Sequence, residues 1–177
     1  MKKFRLKDGN EIIIKEATKE YAEDMINFYN VVGGETDFLS FGKNEFKRNI
    51  EEYTEFIEST RLEQNSIILL ATINEEIISI ASINSSQKER MKHVGTLGIV
   101  IRNQFTGLGL GRIMMEQMIQ WASSNGITNK ISLVTREDNV LAIELYEKLG
   151  FEKEGLIKKD NFINGVYYNT FVMGLFI

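Results

Sequence analysis

Three glycines at alternate positions, Gly107, Gly109 and Gly111, stand between a β-branched run and the start of an amphipathic helical pattern. At such a junction, free backbone N–H groups and the positive end of the helix dipole can hold phosphate oxygens, and side chains would block their close approach. The other reading of these glycines is a turn that only fits the chain between strand and helix. Two familiar phosphate loops fail on spacing. A P-loop needs Gly-Lys followed by Ser or Thr, whereas Gly111 is followed by Arg112 and Ile113. A dinucleotide fingerprint needs G-x-G-x-x-G after the first strand of a parallel unit, but this loop reads G-x-G-x-G and comes past residue 100.

Composition limits what else the chain can do. With 177 residues it is long enough for one domain, 1–177, of a size that buries roughly 70% of its unfolded surface. Hydrophobic residues at 43% and charged residues at 26% exclude a disordered or collagen-like chain. Cys is 0, which excludes disulfides, thiolate metal sites and a cysteine-bound acyl intermediate. His is 1, so a two-histidine metal motif is also excluded, and no metal is expected. A net charge of -4 argues against a nucleic-acid surface. The basic start Met1–Asp8 is followed by no apolar stretch of signal-peptide length, and runs such as Ile67–Ala71 are far short of a membrane span. The expectation is a soluble cytoplasmic protein that binds neither nucleic acid nor membrane. Pro is 0, so every turn must be made without it.

The elements that must position the glycine loop follow from periodicity. Ile12–Ile14 reads as a short buried strand, and Thr18 stands as N-cap to a helix carrying Tyr21, Met25, Phe28, Tyr29 and Val32, which stops at Gly33-Gly34. Residues 33–43 form an aperiodic loop, after which Phe46, Ile50, Tyr53 and Ile57 mark one apolar stripe on a second helix. Ser66–Ile73 and Ile77–Ile83 form a hairpin through Asn74-Glu75-Glu76, and Val94–Ile101 gives the strand that runs into the glycine loop. Met114, Met115, Met118, Ile119 and Ala122 mark the next helix, closed by Asn125-Gly126. Ile131–Thr135 is a strand, and Asp138 is placed to cap a helix with Ala142, Leu145, Tyr146 and Leu149, ended by Gly150-Phe151. Two last strands, Phe151–Ile157 and Tyr167–Phe176, join around Asn164-Gly165. This order predicts an α/β (α+β) fold with one mixed sheet and helices on both faces.

Two motifs resemble the GNAT superfamily of acyl-coenzyme A N-acyltransferases. The family pattern Q/R-x-x-G-x-G/A lies between its fourth strand and third helix, and the stretch from Ile99 to Met114 is similar to it. Gln104 with Gly107 and Gly109 fits literally, but Thr106 with Gly109 and Gly111 aligns strand end and helix start with the family's usual placement, and we prefer that register. It puts threonine where arginine or glutamine is usual, which removes a side-chain contact and leaves the backbone cradle. Asp138–Gly155 resembles the family's N-x-x-A-x-x-L-Y-x-x-x-G-F ending, and the likeness continues through Asn164–Met173. In all it runs from about residue 11 to the C-terminus, closest to small bacterial acetyltransferases with a Glu-Thr-Asp-Phe-like segment after the first helix. The resemblance implies a mostly antiparallel sheet of about seven strands flanked by about four helices.

The resemblance also implies roles. An amine attacking an acetyl thioester forms an oxyanion and expels a thiolate. The backbone from Thr106 through Gly107, Leu108, Gly109, Leu110 and Gly111 would anchor the pyrophosphate of acetyl-coenzyme A, with Arg112 as a charge partner or simply an exposed helix-start arginine. Ile99, Val100 and Ile101 would hold the pantetheine arm and offer an N–H to the carbonyl oxygen. Tyr146 holds the family's tyrosine position; a phenol with pKa about 10 keeps its proton at neutral pH and can give it to the thiolate. Core packing with Leu145 and Leu149 is the competing reading. Asn139 would contact the cofactor or only cap its helix. His93 has the pKa range of a general base, or faces solvent beside the polar stretch 87–92, and water or a glutamate can serve instead. Glu35 and Asp37 lie where the family builds its acceptor pocket and would bind the amine, remove its proton, or only solvate the loop. The implied activity is direct acetyl transfer in a ternary complex to a small cationic amine or a protein N-terminus, by a monomer or homodimer. The alternatives are an antibiotic or amino-acid-like acceptor, or a module that binds acyl-coenzyme A without turnover.

Overall fold

The β-branched runs pair into one eight-stranded sheet in a computed structural model that describes residues 1–177. The strands are β1 Lys2–Arg5, β2 Glu11–Glu16, β3 Ile67–Ile73, β4 Glu76–Ser85, β5 Val94–Ile101, β6 Lys130–Arg136, β7 Glu152–Ile163 and β8 Val166–Phe176. The helices are α1 Ala22–Val32, α2 Ile50–Leu62, α3 Leu110–Ser124 and α4 Val140–Lys148. The spatial order is β1-β2-β3-β4-β5-β6-β8-β7, and every neighbouring pair is antiparallel except β5 with β6. No helix is long and apolar enough to cross a membrane.

Period-two alternation sends the sheet's side chains into two cores. On β3, Ile67 and Ala71 join the core under α3 and α4, whereas Ile68 and Leu70 join the one under α1 and α2. Leu110, Met114, Met115 and Met118 of α3 are fully buried against Ile12, Ile83 and Ile131, and the opposite core is built on Met25, Phe28, Tyr53 and Ile57. Burial on both faces explains why β3 and β4 read as near-continuous apolar runs.

Four expectations are corrected. The sheet has eight strands, because Lys2–Arg5 pairs with β2 as a short edge strand. The second helix begins at Ile50, where Asn49 Oδ1 accepts the N–H groups of Glu51 and Glu52 at 2.8 and 3.3 Å; Phe46 precedes it and packs its ring on Tyr29, 4.4 Å between centroids. Thr18 makes no side-chain cap, because a 3-10 turn, Lys19–Tyr21, intervenes before α1. Asp138 does not cap α4. Asn139 holds that position, and Asp138 turns to Arg136.

Candidate functional site

Pairing between β5 and β6 is confined to Val94–Thr96 against Lys130–Ser132, yet the strands run on to Ile101 and Arg136. The two therefore part into a V. The outer side of β5 stays paired with β4 as far as Ile101, and beyond it the Arg102 N–H donates to the Ile78 carbonyl at 3.0 Å. Inward and outward groups alternate along an antiparallel ladder, so the N–H and C=O groups of Leu97, Ile99 and Ile101 face the V. A strand edge of this kind is a row of donors and acceptors for an extended, amide-bearing ligand. Both arms of the V end at helix starts, α3 beyond β5 and α4 beyond β6.

The glycines of the loop before α3 serve different ends. Gly107 and Gly109 adopt φ +76° and +90°, a region open to glycine without strain. Gly111 instead clears space: a Cβ there would lie 3.3 Å from both Ile101 Cδ1 and Leu145 Cδ2, so its absence lets α3 seat against β5 and α4. The Ile113 N–H is the first to bond back, to Gly109 C=O at 3.1 Å, which leaves the N–H groups of Gly109, Leu110, Gly111 and Arg112 without helical acceptors. Leu110 is fully buried and Leu108 half-buried, so these two contribute backbone only. The Thr106 hydroxyl donates to the Asn103 carbonyl at 2.7 Å, inside its own turn. Arg112 is exposed and pairs with Glu116 one turn on, 3.3 Å away. A residue from the other end of the chain also arrives here. The Lys7 N–H donates to the Leu108 carbonyl at 3.1 Å, and the Lys7 stem runs beside Gly109.

The segment after α1 bridges the two arms of the V. Glu35 Oε1 accepts from Arg102 Nε at 2.8 Å and Glu35 Oε2 from the Asn103 N–H at 2.8 Å, with both charged side chains largely buried. The Glu35 carboxylate is thereby held by two donors within the chain, Arg102 and the Asn103 N–H. Two residues on, the Asp37 carbonyl accepts from Arg136 Nη1 at 2.7 Å, while the Asp37 side chain is exposed. Arg136 is 6% exposed, forks onto Asp138 at 2.9 and 2.6 Å, and lies between the rings of Phe38 and Tyr168, 4.9 and 3.8 Å from their centroids. The Arg136 guanidinium, by hydrogen bond and then by charge, holds the Asp138 carboxyl below its ordinary pKa. Residues 35–38 thus form a strap tied to the end of β5 through Glu35 and to the end of β6 through Arg136.

Tyr146 projects from α4 into the core beside Phe151, 5.9 Å between ring centroids, and burial pushes its pKa up to about 12. No buried side-chain oxygen or nitrogen lacks a partner, and the Tyr146 hydroxyl makes no hydrogen bond within the chain, so its oxygen reaches the core's margin. Asn139 sits half-buried at the start of α4, and its side-chain amide makes no cap. His93 is not brought to this place. It is exposed, it precedes the paired end of β5, and its carbonyl accepts from Asn129 and Lys130. Roughly 20 Å of extended strand separates it from Ile99. Sequence reasoning had no handle on Lys7, Arg102 or Arg136. The only local sign was Arg136 and Asp138, opposite charges two residues apart at a strand end.

A profile described as the Acetyltransferase (GNAT) family matches residues 35–151. L-amino acid N-acetyltransferase AaaT of Escherichia coli (strain K12) is 31% identical over 105 residues, 59% of this chain and 65% of that protein, so the chain spans just under two thirds of that relative's length. The crystal structure of an acetyltransferase of the GNAT family from Streptococcus pneumoniae is 34% identical, with a TM-score of 0.91 over 94% of this chain and 99% of that one. The fold alone is shared with yncA from Salmonella typhimurium, a structure with its cofactor acetyl-CoA, at 17% identity and a TM-score of 0.80 over 93% of both chains. The V, the glycine loop at the start of α3 and these likenesses agree, and the chain belongs to the GNAT acetyltransferase family.

Proposed function

We propose that this chain transfers an acetyl group from acetyl-coenzyme A to a primary amine, by direct attack in a ternary complex. The observation that carries the reading is the free inner edge of β5, which is followed, after one 3-10 turn over Asn103–Phe105, by the glycine loop at the start of α3. The residues present fit the cofactor: Leu97, Ile99 and Ile101 offer strand-type hydrogen bonds to an amide-bearing arm, and the open N–H groups of Gly109 to Arg112 offer donors for phosphate oxygens. When bound, the cofactor supplies an activated acetyl thioester. The chain's part is to hold that group against an amine, to offer a backbone N–H to its carbonyl oxygen, and to return a proton from Tyr146 Oη.

On the acceptor side the strap leaves one acid free. Glu35 is occupied by Arg102 and Asn103, whereas the exposed Asp37 carboxylate makes no hydrogen bond or ion pair and feels only the charge of nearby Arg136, and we assign it the ammonium of the incoming amine. With His93 remote, the amine's proton leaves through Asp37 or through water. The name of AaaT adds L-amino acids to small amines and protein N-termini as acceptors to try. The test is titration with acetyl-coenzyme A, followed by a free-thiol assay across polyamines, L-amino acids and peptides with free N-termini. Binding with thiol release for at least one class is expected. Binding without release for any acceptor would favour a non-catalytic acyl-coenzyme A module, and absence of binding would overturn the reading.

A further inference from the structure

A coenzyme A molecule brings a diphosphate and a 3′-phosphate, several negative charges, to a loop with few cations of its own. Thr106 is neutral and its hydroxyl is used inside the turn. Arg112 already shares its charge with Glu116. The remaining cation comes from the turn between β1 and β2. There the Gly9 N–H closes on the Leu6 carbonyl at 3.0 Å, Gly9 takes φ +91°, and Leu6 is 3% exposed, so the turn is anchored in the core. Lys7 is the next residue. Its N–H is fixed to Leu108 in the glycine loop, and its Cε and Cγ lie 3.8 and 3.9 Å from where a Cβ on Gly109 would stand. The stem therefore lies along the loop at the very residue that precedes α3. Its ammonium makes no ion pair or hydrogen bond within the chain, whereas Lys2 and Lys3, on β1, are both engaged.

We propose that Lys7 is a cofactor-binding residue whose ammonium pairs with a phosphate of coenzyme A held at the start of α3. This rests on the acetyl-coenzyme A reading above. Lys7 adds a mobile positive charge from a second element to the fixed backbone donors of the loop, and contributes where the loop's own side chains do not. A charge-assisted contact of this kind is worth roughly a tenfold change in affinity.

The experiment is calorimetric titration of the full chain, wild type and Lys7→Met, Lys7→Arg and Lys7→Glu, with coenzyme A, 3′-dephospho-coenzyme A and pantetheine. Thermal melts serve as the check on folding. Lys7→Met keeps the apolar stem and should bind coenzyme A about tenfold more weakly, Lys7→Glu more weakly still, and Lys7→Arg close to wild type. Pantetheine, which has no phosphate, should not distinguish the variants, a split that a merely structural role for Lys7 would not produce. If dephospho-coenzyme A shows the same loss, the partner is the diphosphate; if it shows none, the partner is the 3′-phosphate. Wild type that binds coenzyme A while Lys7→Met binds it within twofold would overturn this inference and leave the cofactor reading standing. Wild type that does not bind coenzyme A would overturn both.

Discussion

At the scale of single residues, Tyr146 unites two properties that normally conflict, a ring packed in the α3–α4 core and an oxygen that no protein group holds. Burial disfavours the phenolate and moves ionisation up to about 12, so the group stays protonated wherever an amine can be the nucleophile. The same shift makes the phenol a weaker acid than free tyrosine, so its proton passes to a thiolate only if that thiolate forms within hydrogen-bond reach of Tyr146 Oη. Tyr146→Phe should therefore lower turnover by roughly a hundredfold, the usual worth of a placed acid, with coenzyme A affinity changed less than about twofold. Thermal stability should hold, because the lost hydroxyl had no partner in the chain. Steady-state kinetics beside a binding titration separate the two effects, and equal turnover would remove Tyr146 from the mechanism. A decline in rate on the alkaline side below pH 10 would belong to another group.

At the scale of elements, the path from β5 into the glycine loop shows what replaces proline. Arg102 has ψ 133°, a backbone setting that tolerates a following proline, so sterics alone would permit one at position 103. What forbids it is the Asn103 N–H, which donates to Glu35 and ties the strap to the loop. Asn103→Pro should cost about 1–2 kcal/mol in denaturant unfolding, the worth of a solvent-exposed hydrogen bond to a charged acceptor. In a Glu35→Ala background the same substitution should cost nothing further, and equal costs in both backgrounds would refute the link. The bond joins residues 68 positions apart, and no periodicity announces such a pair. Local features were legible: Asn164-Gly165 makes the turn expected of it, the hairpin expected through Asn74-Glu75-Glu76 turns on Asn74 and Glu75 with Glu76 already in β4, φ is positive at all four turn residues, and Gly150 closes α4 at φ +94° with Phe151 buried behind it. The short strand β1 was not, because one half-buried residue in Lys-Lys-Phe-Arg carries no alternation. The role of Asp138 was misread for a related reason. An acid before a helix predicts a cap, and only the fold shows that both Asp138 carboxylate oxygens accept from the Arg136 guanidinium instead.

At the scale of the whole molecule, the sheet carries a core on each face, and the V opens where β5 and β6 stop pairing. Each core holds buried phenols. Tyr146 lies in the one under α3 and α4, and Tyr53, with Tyr29 beside it, belongs to the one under α1 and α2. Burial raises the pKa of Tyr53 and of Tyr146 to about 12 and that of Tyr29 well above its ordinary value. The folded chain then keeps protons that the unfolded chain gives up near pH 10. Stability from this source is complete below about pH 10 and is lost as pH rises toward 12, with a slope of up to about 1.4 kcal/mol per pH unit for each phenol. Unfolding in urea followed at several pH values between 8 and 12 should show that fall, with tyrosinate absorbance rising in step with loss of structure. Tyr53→Phe and Tyr146→Phe should each flatten the slope, because each removes a buried phenol from its core. A slope that neither variant changes would mean that the phenols ionise in the folded state, and that neither core excludes water as closely as its packing implies.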